Sequence, residues 1–117
     1  MTARYDFGGV ELVRIVENEG PLLRPAEIFP DSTPEVIQAN LDWLAPRFYD
    51  PVSDRLVIAI QSFLLKSQGR LILVDTCVGD CKARVRPEFD RQHWGWLDRL
   101  AQSGVRPEDI DIVVSTH

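Results

Sequence analysis

One stretch, Leu56 to Val74, restricts the fold more than any other. Leu56-Val57-Ile58-Ala59-Ile60 and Phe63-Leu64-Leu65 carry the chain to Lys66 with little polar interruption. Ser67-Gln68-Gly69-Arg70 breaks the run, and Leu71-Ile72-Leu73-Val74 resumes it at once. Gly69 supplies the positive φ that a tight turn needs. The pattern predicts two strands joined as a hairpin. Their nearly continuous apolar character predicts burial on both faces, as in the interior of a sheet covered by helices.

The flanking segments supply the rest. Val10 to Val16 is aliphatic with polar residues between, set off by Gly8-Gly9 and Asn18-Glu19-Gly20-Pro21, and reads as a strand. Pro21 to Pro30 reads as an apolar loop. Ser32-Thr33-Pro34-Glu35 is a helix start, with a hydroxyl cap, proline in the first turn and an acid at the positive end of the dipole. Val36, Ile37, Asn40, Leu41 and Leu44 keep helical spacing until Pro46. An aromatic loop (residues 47–51) and a polar turn (53–55) lead into the hairpin. Pro87 opens a second helix running to Ser103, its stripe Phe89, Trp94, Leu97, Leu100 and Ala101, with Gly104 ending it. Ile112-Val113-Val114 is the last strand, and it reads as buried. The order is α/β (α+β): helices on the face of a mixed β-sheet, with a strand-helix-strand unit from Leu71 to Val114.

At 117 residues there is room for one small domain. A net charge of −5 argues against nucleic acid and anionic membrane as partners, since both call for a basic face. No apolar run is long enough to span a bilayer, and the first residues lack the apolar core of a secretory signal, so a soluble cytoplasmic protein is expected. Cys77 and Cys81 are too few for a disulfide scaffold and are read as reduced thiols. Gly79-Asp80-Cys81-Lys82 lacks the first glycine and the hydroxyl residue of a phosphate loop.

Two residues stand where α/β folds place chemistry, at the carboxyl ends of strands. Asp75 directly follows Leu71-Ile72-Leu73-Val74, and His117 follows Ile112-Val113-Val114-Ser115-Thr116. Each alone is commonplace: a turn aspartate, a hydrogen-bonded histidine. A crossover connection would bring both to one edge, where a carboxylate can bind metal or orient a metal-bound imidazole. His93, near a helix start, reads as a surface or half-buried residue. Cys77, Cys81, His93 and His117 do not have the spacing of a known zinc finger or ribbon.

Leu71-Ile72-Leu73-Val74-Asp75-Thr76-Cys77-Val78-Gly79 resembles the strand and Asp-Thr-Gly-type turn of the metallo-β-lactamase superfamily. Pro107 to His117, ending Asp-Ile-Val-Val-Ser-Thr-His, resembles the lead-in to that superfamily's His-x-His-x-Asp-His motif. The stretch from Pro21 to Pro51 is similar to the amino-terminal region of the lactonase and organophosphate-hydrolase-like branch. Cys77 stands where many members have glycine. The resemblance implies the amino-terminal half of a four-layer αββα sandwich, with residues 1–117 as the front portion of a single, truncated domain. It implies two zinc ions holding a hydroxide that attacks a lactone, ester or related bond of a small-molecule substrate. His117 would be the first zinc ligand, and Asp75 would hold a ligand histidine in place. The acid/base aspartate would lie past His117. Phe29, Trp43, Phe48 and Tyr49 are candidate pocket residues. A homodimer or a complementing carboxyl-terminal portion is the partner expected.

On this reading the complete protein is a zinc-dependent hydrolase, and the 117 residues alone are inactive for want of ligands. The alternatives are a non-catalytic structural or interaction fragment, or one piece of a split hydrolase completed by another chain.

Overall fold

A computed structural model describes residues 3–117. The chain falls into two units, one of residues 1–18 with 60–117 and one of residues 19–59. Its elements are β1 (Ala3–Asp6), β2 (Val10–Leu23), α1 (Pro25–Ile28), α2 (Pro34–Ala39), α3 (Leu41–Leu44), β3 (Tyr49–Asp50), β4 (Arg55–Ser67), β5 (Arg70–Val74), α4 (Trp96–Gln102), a 3-10 turn at Pro107–Asp109, and β6 (Ile112–Val114). The described strands form one mixed sheet in the order β1-β2-β4-β5-β6, with β3 paired to β4.

In the first unit, the expected hairpin is present, with Ser67 opposite Arg70 and Phe63 opposite Val74 in an antiparallel ladder. Gly69 has φ +75, as its turn requires. β5 and β6 are parallel, Ile72 opposite Ile112 and Val74 opposite Val114. Asp111 fixes that register twice: its N–H donates to the Leu71 carbonyl at 2.9 Å, and its carboxylate accepts from the Leu71 N–H at 2.8 Å. α4 buries Trp96 and Leu100 against Val13, Ile15, Leu64, Leu73 and Val105, which make up the core of this unit.

The second unit is built locally. The Thr33 hydroxyl caps α2 by accepting from the Val36 N–H, with Pro34 in the first turn. Tyr49 is buried and donates its hydroxyl to Asp54 at 2.8 Å.

Several sequence expectations are corrected. The first strand runs on to Leu23, through Gly20 and Pro21, since proline's fixed φ lies within the extended range. The Pro21–Pro30 loop is therefore strand and then the short helix α1. The helix expected from Pro34 to Leu44 is two, α2 and α3. Asn40 sits between them, its amide donating to the Val36 carbonyl and accepting from the Trp43 indole N–H, which competes with a continuous helix. The helix expected from Pro87 covers only Trp96–Gln102. Before it, the backbone of Arg91 and Gln92 pairs with Lys82 and Cys81, and Arg91 has φ +50. Asp80 accepts from the Trp94 and Gly95 N–H groups, so these donors serve a loop. Leu97 is exposed, and Trp96 takes the core position. The last strand lies at the end of the sheet beside β5 and is exposed along its length, because among the described residues nothing covers either of its faces. β1 and β3 are additions.

Among the described residues, no helix is long and apolar enough to cross a membrane.

Candidate functional site

The parallel pairing of β5 and β6 sets the ends of both strands side by side, and three residues just beyond them form a chain of hydrogen bonds. The Asp75 N–H donates to the Val114 carbonyl at 2.8 Å, carrying the ladder one step past β5. The Asp75 carboxylate then accepts from the Thr116 N–H at 2.8 Å and from the Thr116 hydroxyl at 2.7 Å. That hydroxyl also lies 2.7 Å from His117 Nδ1.

The proton count orders this chain. A hydroxyl has one proton to give, and a carboxylate can only accept. With the Thr116 proton directed at Asp75, the hydroxyl oxygen must accept from His117 Nδ1–H. In the neutral imidazole this is the Nδ1–H tautomer, which leaves the lone pair on Nε2, where a Lewis acid can bind. The two bonds from Thr116, its N–H first and then its hydroxyl, hold the Asp75 carboxyl below the ordinary value of 3.8. Because this pKa is depressed, the bonds are intact above 3.8 and are lost as pH falls further, through the folded-state value. Asp75 thus reaches His117 through Thr116, a link the sequence reading passed over.

Glu17 is a second residue that reading missed. It ends the alternation Val13-Ile15-Glu17, whose members all face inward, and it is only 1 % exposed. Both of its carboxylate oxygens are used, accepting from the Val78 and Gly79 N–H groups at 2.9 Å each. Glu17 therefore clamps the loop that leaves Asp75. The signal was present: a carboxylate on the buried face of a strand must have partners. On the same stretch, the Arg99 guanidinium of α4 donates to the backbone carbonyls of Val16 and Glu17.

Asp75 and Cys77 both lie in the left-handed region, with φ +63 and +62, so the clamped loop holds a backbone that side chains disfavour. The Cys77 thiol packs against the core and lies 3.1 Å from the Ser62 hydroxyl. Burial pushes it up to about 11, against the opposite pull of the Ser62 bond, so it is a neutral thiol at ordinary pH. Cys81 is exposed and lies beside His93.

Of the four aromatic pocket candidates, Tyr49 lines a cleft of about 510 Å³ within the second unit, together with Arg24, Ile37, Leu41 and Asp54. Phe29, Trp43 and Phe48 are exposed. Trp43 and Phe48 meet at 6.5 Å between ring centres, and the Arg47 guanidinium lies over Phe48.

A metal centre needs several ligands. Among the described residues no group of three or more His, Cys, Asp or Glu side chains could hold an ion. His117 offers one imidazole nitrogen, and both Asp75 oxygens are taken up by Thr116. These residues do not make a metal site by themselves.

No family model matches the chain, and neither does any curated protein. Solved structures do, and what the likeness shows is the fold, one also seen in a hydrolase of the β-lactamase superfamily. Among them are the hydrolase AbOPH of the β-lactamase superfamily, at TM-score 0.70 and 22% identity, and AidC, a dizinc quorum-quenching lactonase in complex with the product N-hexanoyl-L-homoserine, at 0.70 and 20%. Both matches cover 99% of this chain and 35% of the other. A third is a probable metal-dependent hydrolase from Staphylococcus aureus, at 0.69 and 15%, covering 97% of this chain and 39% of the other. The chain thus spans little more than a third of the length of the structures it matches. The mixed sheet and helices are a part of that sandwich, as the resemblance in the sequence implied.

Proposed function

We propose that this chain is the amino-terminal portion of a zinc-dependent hydrolase acting on a lactone, ester or related bond of a small molecule. His117 is its first metal ligand through Nε2, and the other ligands, with the acid/base residue, lie outside these 117 residues. The observation that carries this reading is the Asp75–Thr116–His117 chain, which spends hydrogen bonds on fixing one tautomer of an exposed imidazole. The hydrolase and lactonase structures of the same fold support the reaction class. Tyr49 with its cleft, and the exposed Phe29, Trp43 and Phe48, are the candidates for contact with an organic group.

The test begins with the native product in its source. Its intact mass is expected to lie well above the 13.3 kDa of this chain, and it is expected to carry two zinc ions and to turn over lactones or esters. In that product, His117→Ala is expected to abolish metal loading at one site. Thr116→Val, which cuts the link to Asp75 while sparing the imidazole, is expected to lower zinc affinity or turnover by roughly 10- to 100-fold. A native product of 13.3 kDa that holds two zinc ions would overturn the reading, as would full zinc loading in His117→Ala.

A further inference from the structure

The loop between β5 and α4 borders a cavity of about 250 Å³ within the first unit. Thr76 and Val78 line it from the turn after Asp75, and Trp96 and Leu97 from α4. Lys82 and Arg84 bring two cations to the same lining. Pockets for drug-sized ligands begin at roughly 300 Å³, so this space suits one small group on a short organic stem.

The lining is held in shape. The buried Glu17 carboxylate accepts from the Val78 and Gly79 N–H groups. The Arg84 guanidinium donates to the Val78 carbonyl at 2.5 Å, and the Arg84 N–H donates to Asp90 at 2.8 Å. A Cβ at Gly79 would stand 3.0 Å from Lys82 Cε, so the Lys82 stem lies against the Gly79 backbone.

The charge around the cavity is unbalanced. Asp80 also lines it, but its oxygens accept from the Trp94 and Gly95 N–H groups at the start of α4. Among the described residues, no carboxylate forms an ion pair with Lys82 or Arg84. A guanidinium has five N–H donors, so the bond to Val78 leaves Arg84 with others to give. Trp96 is only 8 % exposed, and its buried indole N–H has no acceptor among the described residues. Two cations, spare donors and apolar walls make a lining suited to a group rich in acceptor oxygens.

We propose that this cavity is a subsite for a carboxylate or phosphate group carried by a small organic molecule. Lys82 and Arg84 supply the charge, and Val78, Trp96 and Leu97 receive the apolar stem. That this molecule is the substrate rests on the hydrolase reading above; the binding itself does not.

The experiment strips the native full-length product of metal with a chelator, so that no anion can sit on a metal ion. The product is then titrated with butyrate, butyl phosphate and the neutral butyramide, with binding read from tryptophan fluorescence. Saturable binding is expected for at least one of the two anions and not for butyramide, and the tighter anion names the group. Lys82→Glu is expected to abolish binding, and Lys82→Arg, which keeps the charge, to retain it. Arg84→Gln is expected to weaken it roughly tenfold. Lys82 and Arg84 are exposed, so circular dichroism should show each variant folded like the parent. No saturable binding of either anion would overturn the proposal, as would parent affinity in Lys82→Glu. Zinc content and turnover do not enter this readout, so the subsite and the hydrolase reading fail separately.

Discussion

Glu17→Ala should lower the stability of the chain by about 3 kcal/mol, read as a lower urea midpoint at an unchanged slope. The side chain is buried, and both oxygens accept backbone N–H bonds from residues 61 and 62 positions away. Its removal strands the Val78 and Gly79 donors and leaves a void beneath the loop. Bonds to a charged acceptor are worth more than neutral ones, and an orphaned donor costs more than the bond it lost. Glu17→Gln keeps one acceptor oxygen, so about half the loss is expected. Equal midpoints for the parent and Glu17→Ala would show that the carboxylate holds nothing together.

The second large effect belongs to the apolar core. Leu100 is fully buried and packs α4 onto Val13, Ile15, Leu64 and Leu73. Leu100→Ala should cost about 3–4 kcal/mol, from the lost transfer free energy and the unfilled space. A domain of this size has roughly 5–15 kcal/mol in hand, so the substitution should remove a large share of it. Circular dichroism against temperature would show this as an earlier melt. A Leu97→Ala variant is the contrast: its side chain is exposed, and its melt should not move.

The unequal weight of these residues explains what could be read from the sequence. The hairpin, the parallel neighbour of its second strand and the pairing of Asp75 with the His117 segment all follow from local signals: apolar runs, a glycine turn and strand ends. The resemblance of two short motifs then matched the fold. The segment from Pro87 to Gly95 was misread because its helix was undone from a distance, by Asp80 and by the backbone of Cys81 and Lys82. Nothing within the segment announces those partners. Asn40 divided a helix through side-chain bonds that periodicity does not weigh. Thr116 looked like a spacer. Its part emerges only when two strands from opposite ends of a crossover lie in register.

Glu17 also joins three pieces that are far apart in sequence. Its side chain holds the loop after β5, while the carbonyls of Val16 and Glu17 receive Arg99 from α4. Strand, loop and helix therefore have no independent way to open. Their protected amide protons should report one common free energy of opening in hydrogen exchange, as a single cooperative unit, and slackening any member should release the other two. The backbone that presents Asp75 is then only as quiet as the far side of the helix allows.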